Sequence, residues 1–265
     1  MEAGYLLIGE DGCFINSLDK SKIQAIYEPA IIDLINIYKE VFKTDLLSIY
    51  IRGSVAAGTA TPYLSDIDTI AIGNKQADDS YKQSLEEKCQ PLFNKHSFIS
   101  KFDSLYITYH DLLTRTSKER FQFIIKYLSV CVYGEDVSSQ MRLFAPDKDI
   151  VFNLPELRRR IQAVKNDFNA ELDSVKIKQT CVLIMKLLIR AGFELCIERE
   201  KRFTRDLDQS FITFSEYYPD KKKEMKKVLE LALYPTDDKK VILRMLNKTG
   251  MWLVTTYDYH RQFGP

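Results

Sequence analysis

Cysteine is sparse and poorly placed for chemistry. The five cysteines (Cys13, Cys89, Cys131, Cys181, Cys196) are odd in number and widely spaced, and no C-x-x-C pair occurs. Neither a disulfide framework nor a thiolate zinc site is indicated. Cys181 and Cys196 lie on apolar helical faces, where a small buried side chain is the expected role. Histidine is scarcer still: His96, His110 and His260 are too scattered to suggest a metal cluster. Long apolar runs are also missing. Ile31 to Ile37 and Cys181 to Leu188 are short and interrupted by charge, whereas a membrane-spanning helix needs about 20 apolar residues. The N-terminus shows no basic region, apolar stretch and small-residue cleavage site of a signal peptide. The expectation is a cytoplasmic protein with no membrane partner.

What remains is an ordinary globular composition. The 265 residues are 45% hydrophobic, with a net charge of +1, enough for one large domain or two modest ones. The charge is unevenly divided. Residues 151–265 carry 22 Lys/Arg against 16 Asp/Glu, a balance of +6, and residues 1–150 carry a balance of −5. An acidic half with metal-binding carboxylates facing a basic half would suit a metal-nucleotide. Chance differences between solvated helix faces give the same numbers.

Asp11-Gly12, between Tyr5–Ile8 and Cys13–Ile15, is a turn dipeptide and predicts a short hairpin or a packed arm. Ser21 to Phe42 has apolar residues at helical spacing, with Pro29 placed to kink or split the helix. Leu46–Ile51 and Ile67–Ile72 read as strands, separated by an Ala/Gly/Thr/Ser-rich segment. Asp79–Phe93 reads as a helix and Ser97–Tyr109 as a third strand. Beyond Lys118 the pattern turns helical: one amphipathic helix carrying Phe121 to Cys131 and stopping near Gly134, then a linker over 135–153. Further helices are predicted over Pro155–Phe168, Ser174–Glu200, Leu207–Tyr218, Lys221–Leu233, Asp237–Asn247 and Met251–His260. The expected fold class is α+β: a small mixed-sheet domain over residues 1–115, then a helical bundle over 116–265.

One segment carries chemistry: Ile51-Arg-Gly-Ser, eleven intervening residues from Val55 to Ser65, then Asp66-Ile-Asp68. Asp66 and Asp68 are two apart on a predicted strand, so their carboxylates share a face. Adjacent anionic oxygens repel unless a cation lies between them, and oxygen-only donors suit Mg²⁺ or Mn²⁺. Gly53 permits close approach of the backbone to a phosphate, and Ser54 adds a hydroxyl donor. Phosphate cradle and metal pair would then lie on neighbouring strands.

This pattern resembles the nucleotidyltransferase superfamily that includes DNA polymerase β, most closely the branch of streptomycin/spectinomycin adenylyltransferases and minimal nucleotidyltransferases. The resemblance covers residues 45–110 well and the helical half only in general layout. It implies a third carboxylate on a later strand, for which Asp103 is the best match and Asp111 the fallback; the family often has Glu there. Asp66, Asp68 and Asp103 would hold two metal ions, and Asp103 would also act as general base. Gly53 and Ser54 would bind the phosphates of ATP or another NTP. Arg205, or Lys178, could hold the triphosphate from the helical half. Arg52 could touch phosphate or, on the alternate face of its strand, point elsewhere. Thr59 and Ser65 read as loop-shaping residues, and Lys221 to Lys227 as an exposed helix face. The implied reaction moves AMP onto a hydroxyl of a small molecule, possibly aminoglycoside-like, and releases pyrophosphate. A protein side chain or nucleic acid is an alternative acceptor, and a non-catalytic nucleotide-binding regulatory or antitoxin-type protein an alternative role.

Overall fold

The computed structural model describes residues 4–99, 101–114 and 118–264. It resolves into two compact units, one spanning Phe14–Leu143 and the other Met1–Cys13 with Phe144–Pro265.

The first unit is built on a sheet. It runs β2 (Phe14–Ile15), α1 (Glu28–Phe42), β3 (Leu46–Arg52), α2 (Gly53–Ala57), β4 (Ile67–Gly73), α3 (Asp79–Lys95), β5 (Phe102–Thr108), α4 (Tyr109–Thr114), α5 (Glu119–Leu128) and β6 (Ser129–Gly134), after the two-residue strand β1 (Leu7–Ile8) of the other unit. Strand order is β5-β4-β3-β6. β3 is antiparallel to β4 and β6, while β4 and β5 are parallel, which requires a crossover, here supplied by α3.

Side-chain alternation gives the sheet two apolar faces. Ile49, Ile51, Ile67 and Ala71 join Ile31, Leu34, Tyr38 and Phe42 of α1 in one core. Tyr50, Ile70, Ile72 and Ile107 pack with Leu112 and Ile125 in the other. On that second face the alternation places Arg52, Asp68 and Asp103 in a row where the apolar side chains give out.

In the second unit, α6 (Leu154–Asp167), α7 (Ser174–Glu194), α8 (Ile197–Glu200), α9 (Leu207–Tyr217), α10 (Lys222–Leu233), α11 (Lys239–Met245) and α12 (Met251–Phe263) surround a core centred on Cys181, Met185 and Leu188 of α7. Asp173, Asp206 and Asp238 cap α7, α9 and α11 by accepting from backbone N–H groups. A π-turn over Leu246–Gly250 joins α11 to α12. Glu194, 5% exposed, accepts hydrogen bonds from the backbone N–H groups of Phe152, Asn153 and Leu154 and from Asn153 Nδ2. It therefore ties the start of α6 to the end of α7, satisfying donors that a helix N-terminus leaves free. No described helix is long and apolar enough to cross a membrane.

The mixed α/β sheet and the many helices agree with the expected α+β class. Several boundaries differ. The predicted helix through Cys131 ends at Leu128, and Ser129–Gly134 instead forms β6 against β3; β-branched and aromatic residues in Val130-Cys-Val-Tyr133 favour a strand once a sheet edge is available. The compact units accordingly part at 143/144, beyond the 115/116 expected from sequence. The N-terminal arm belongs to the helical unit, where Leu6 N–H donates to the Phe203 carbonyl at 2.9 Å and the Tyr5 hydroxyl pairs with Thr213 Oγ1 at 2.7 Å. Pro29 opens α1 and does not kink it, since its missing N–H costs nothing there. Ser174–Glu200 is two helices interrupted at Leu195-Cys196. Cys181 and Cys196 are buried and free, as expected.

Candidate active site

The site begins where β3 ends. Strand geometry stops at Arg52, and Gly53 turns the chain into α2 with a φ of +74°, a conformation that glycine adopts without steric cost. A Cβ on Gly53 would also fall 2.4 Å from Asp68 Oδ2. Ser54 is the second residue of α2, which ends at Gly58 in the left-handed region. Thr59 and Ser65 serve the turn that follows: Thr59 N–H donates to the Ser54 carbonyl at 2.9 Å, and Ser65 Oγ accepts from Thr61 N–H at 2.9 Å.

Register assembles the charged row. Arg52 on β3 is opposite Asp68 on β4, and Asp68 is opposite Asp103 on β5. Arg52 Nη2 lies 2.9 Å from Asp68 Oδ1 and 2.8 Å from Asp103 Oδ2. Side-chain exposure is 12% for Arg52, 17% for Asp68 and 40% for Asp103, so Asp103 is the carboxylate most open to solvent. Asp66 immediately precedes β4. Burial pushes the Asp68 carboxyl up to about 6; the Arg52 charge opposes this, while Asp66 and Asp103 add to it.

The structure thus brings Gly53, Asp68 and Asp103 together, with Asp66 near enough to act on Asp68 electrostatically. The fallback Asp111 is engaged elsewhere: it is buried, and its Oδ2 accepts from Gln76 Nε2 at 2.8 Å. Arg205 and Lys178 belong to the other compact unit. Arg205 precedes Asp206, the cap of α9, so the helix start expected at Thr204 falls at Leu207. Lys178 Nζ is 3.9 Å from Asp237.

Arg52 is the residue whose place sequence reasoning left open. As the last residue of β3 it pairs across to Asp68, and its side chain points into the charged row. A signal existed: antiparallel pairing of two strands ending in Ile51-Arg52 and starting at Ile67-Asp68 sets an arginine against a carboxylate.

Among the described residues no three His, Cys, Asp or Glu side chains converge as a ready-made metal centre. The donor set nonetheless fits a hard divalent cation. It consists of carboxylate oxygens only. One carboxyl is pushed up by burial and by its acidic neighbours, and the negative charge is already drawing in a cation from the chain itself.

Comparison with known proteins agrees with this geometry. Residues 31–134 match the family model of the nucleotidyltransferase domain, a span containing the whole sheet and every residue of the charged row. No curated protein sequence matches the chain. Among solved structures, the chain is similar to spectinomycin adenyltransferase AAD(9) from Enterococcus faecialis, crystallised with ATP and spectinomycin. The TM-score is 0.56 at 12% identity, covering 85% of this chain and 98% of that one. The resemblance read from Gly53, Ser54, Asp66 and Asp68 is therefore borne out: residues 31–134 match a nucleotidyltransferase domain, and the enzyme class expected from sequence stands.

Proposed function

We propose that this nucleotidyltransferase moves a nucleoside monophosphate, AMP from ATP, onto a hydroxyl of a small molecule with release of pyrophosphate. The observation that carries the reading is the in-register row of Asp68 and Asp103 beside the Gly53–Ser54 turn. The similar solved structure, crystallised with ATP and spectinomycin, supports both the nucleotide and a small-molecule acceptor.

In this reading Gly53 and Ser54 receive the β- and γ-phosphates. Asp66, Asp68 and Asp103 hold the divalent cations. Bound Mg²⁺ would make the acceptor oxygen more acidic and offset charge on the leaving pyrophosphate. The acceptor oxygen forms a bond to the α-phosphorus as the α–β bridging bond breaks, and pyrophosphate carries that electron pair away. Asp103, the most exposed carboxylate of the row, accepts the proton of the hydroxyl. Much of the acceleration comes from holding the reacting groups in line and from fixed charge.

The +6 balance of residues 151–265 favours a second reading in which the acceptor is an anionic polymer such as RNA; aminoglycosides are cations and prefer acidic pockets. The test is pyrophosphate release from each of the four NTPs with Mg²⁺, against aminoglycosides, proteins and RNAs. Release with a single small hydroxylated acceptor, lost in Asp68→Asn, is the expected result. Release only with RNA would select the second reading, and release with no acceptor while ATP still binds would count against both.

A further inference from the structure

Arg52 differs from an ordinary surface ion pair in three respects. A single nitrogen, Nη2, touches both carboxylates, at 2.9 Å from Asp68 and 2.8 Å from Asp103. The side chain is only 12% exposed, so solvent and salt screen it weakly. Its Nε is buried and has no hydrogen-bond partner. An arginine in a purely structural pair normally uses its planar fork in two parallel hydrogen bonds. Here one nitrogen does the bridging while a buried donor goes unsatisfied, at a cost typical of a desolvated N–H group. Charge holds this arginine in place, without a complete set of hydrogen bonds. The two carboxylates it holds are also those that a divalent cation would need.

We propose that Arg52 is an exchangeable internal counter-ion. In the metal-free protein it keeps the neighbouring carboxylates of Asp68 and Asp103 from repelling one another, and it yields when a divalent cation binds the same oxygens. The proposal rests on the metal-dependent reading given above. Arg52 is then a positioning residue. It preserves the row in the resting protein and competes with metal that arrives alone. Arg52 also directly precedes the Gly53–Ser54 turn, so the phosphates of a nucleotide bound there offer the displaced guanidinium a new anionic partner. Metal and nucleotide should therefore load cooperatively.

The test uses the full chain, without nucleotide, as wild type, Arg52→Gln, Arg52→Lys and Asp68→Asn. Thermal unfolding is measured in EDTA, and Mg²⁺ or Mn²⁺ binding by calorimetry. Arg52→Gln should lose roughly 3–8 °C in EDTA, and Arg52→Lys, which keeps a charge, should lose less. Arg52→Gln should bind the metal roughly ten-fold more tightly than wild type, with Arg52→Lys in between. Metal bound by Arg52→Gln no more tightly than by wild type, yet lost in Asp68→Asn, overturns the exchange and leaves the transferase reading intact. Metal bound by none of the proteins overturns both. Should Arg52→Gln not fold, Arg52→Lys decides by the same comparison: affinity equal to or weaker than wild type's overturns the proposal.

Discussion

Gly53 and Asp68 are packed so closely that a methyl group on the first would fall 2.4 Å from Oδ2 of the second. The glycine also holds a φ of +74°, which an L-residue adopts only at a cost of about 1–2 kcal/mol. Gly53→Ala therefore acts twice, straining the turn and pushing the carboxylate out of the row. The variant should be less stable by about 1–3 kcal/mol in urea unfolding. Its turnover should fall by about 100-fold or more, because small displacements of reacting groups are costly. Wild-type turnover in Gly53→Ala would show that the close approach has no functional role.

Asp68→Asn should separate activity from stability. Burial and the acidic neighbours disfavour the Asp68 charge and push its carboxyl up to about 6, so a neutral residue of the same shape costs the fold little. Stability is expected to stay within about 1 kcal/mol of wild type, while turnover drops by roughly 10³-fold or more for want of a metal-binding carboxylate. Unfolding curves and pyrophosphate release from the same preparation check both halves of the statement.

Asp103→Asn should remove both the proton acceptor and one metal ligand. Loss of a general base lowers kcat by roughly 10²–10⁴-fold, and metal affinity should fall with it, while ATP binding measured in EDTA stays nearly unchanged. Single-turnover rates at saturating metal isolate the base: turnover restored to the wild-type rate there would show that Asp103 acts through the metal alone.

Glu194 predicts a pH dependence of the helical unit. Burial pushes its carboxyl up to about 7 against the opposing hydrogen bonds from Leu154, Asn153 and Phe152. The folded protein then holds a proton that the unfolded chain releases near the ordinary Glu value. Its contribution to stability is complete below about 4.5 and is lost as pH rises through about 7, a span worth about 3 kcal/mol. In Glu194→Gln this part of the pH dependence should vanish. Denaturant unfolding at pH 5 and pH 8 on both proteins measures it, and an equal slope in the two would show that Glu194 does not carry it.

Much of the site was legible because it depends on short-range rules. Alternation along β4 set Asp68 on its face, with Asp66 just before the strand and acting on it electrostatically, and the Gly53–Ser54 pair at a strand end announced a turn. Asp103 needed the resemblance to a family, since nothing local says that residues 102–108 pair in parallel with β4. Arg52 escaped because its role depends on cross-strand register, which involves residues 16 positions away. The helix–strand boundary at Leu128 was lost for a related reason: Ser129–Gly134 is apolar enough to continue a helix, and the available edge of β3 makes it a strand. Glu194 could not be found at all by pattern, because a lone acidic residue at a helix end looks the same whether it meets water or the N-terminus of another helix.

The parallel pairing of β4 and β5 carries one more implication. Because Asp68 and Asp103 face each other across directly hydrogen-bonded strands, the main-chain spacing of a sheet, about 4.8 Å, fixes how far apart their backbones can be. The crossover between them, residues 74–101, sets neither that distance nor the side on which the two acids emerge. Outside the buried residues Leu85, Cys89 and Leu92 of α3, its sequence can therefore drift or be redesigned while the spacing of the two acids stays constant.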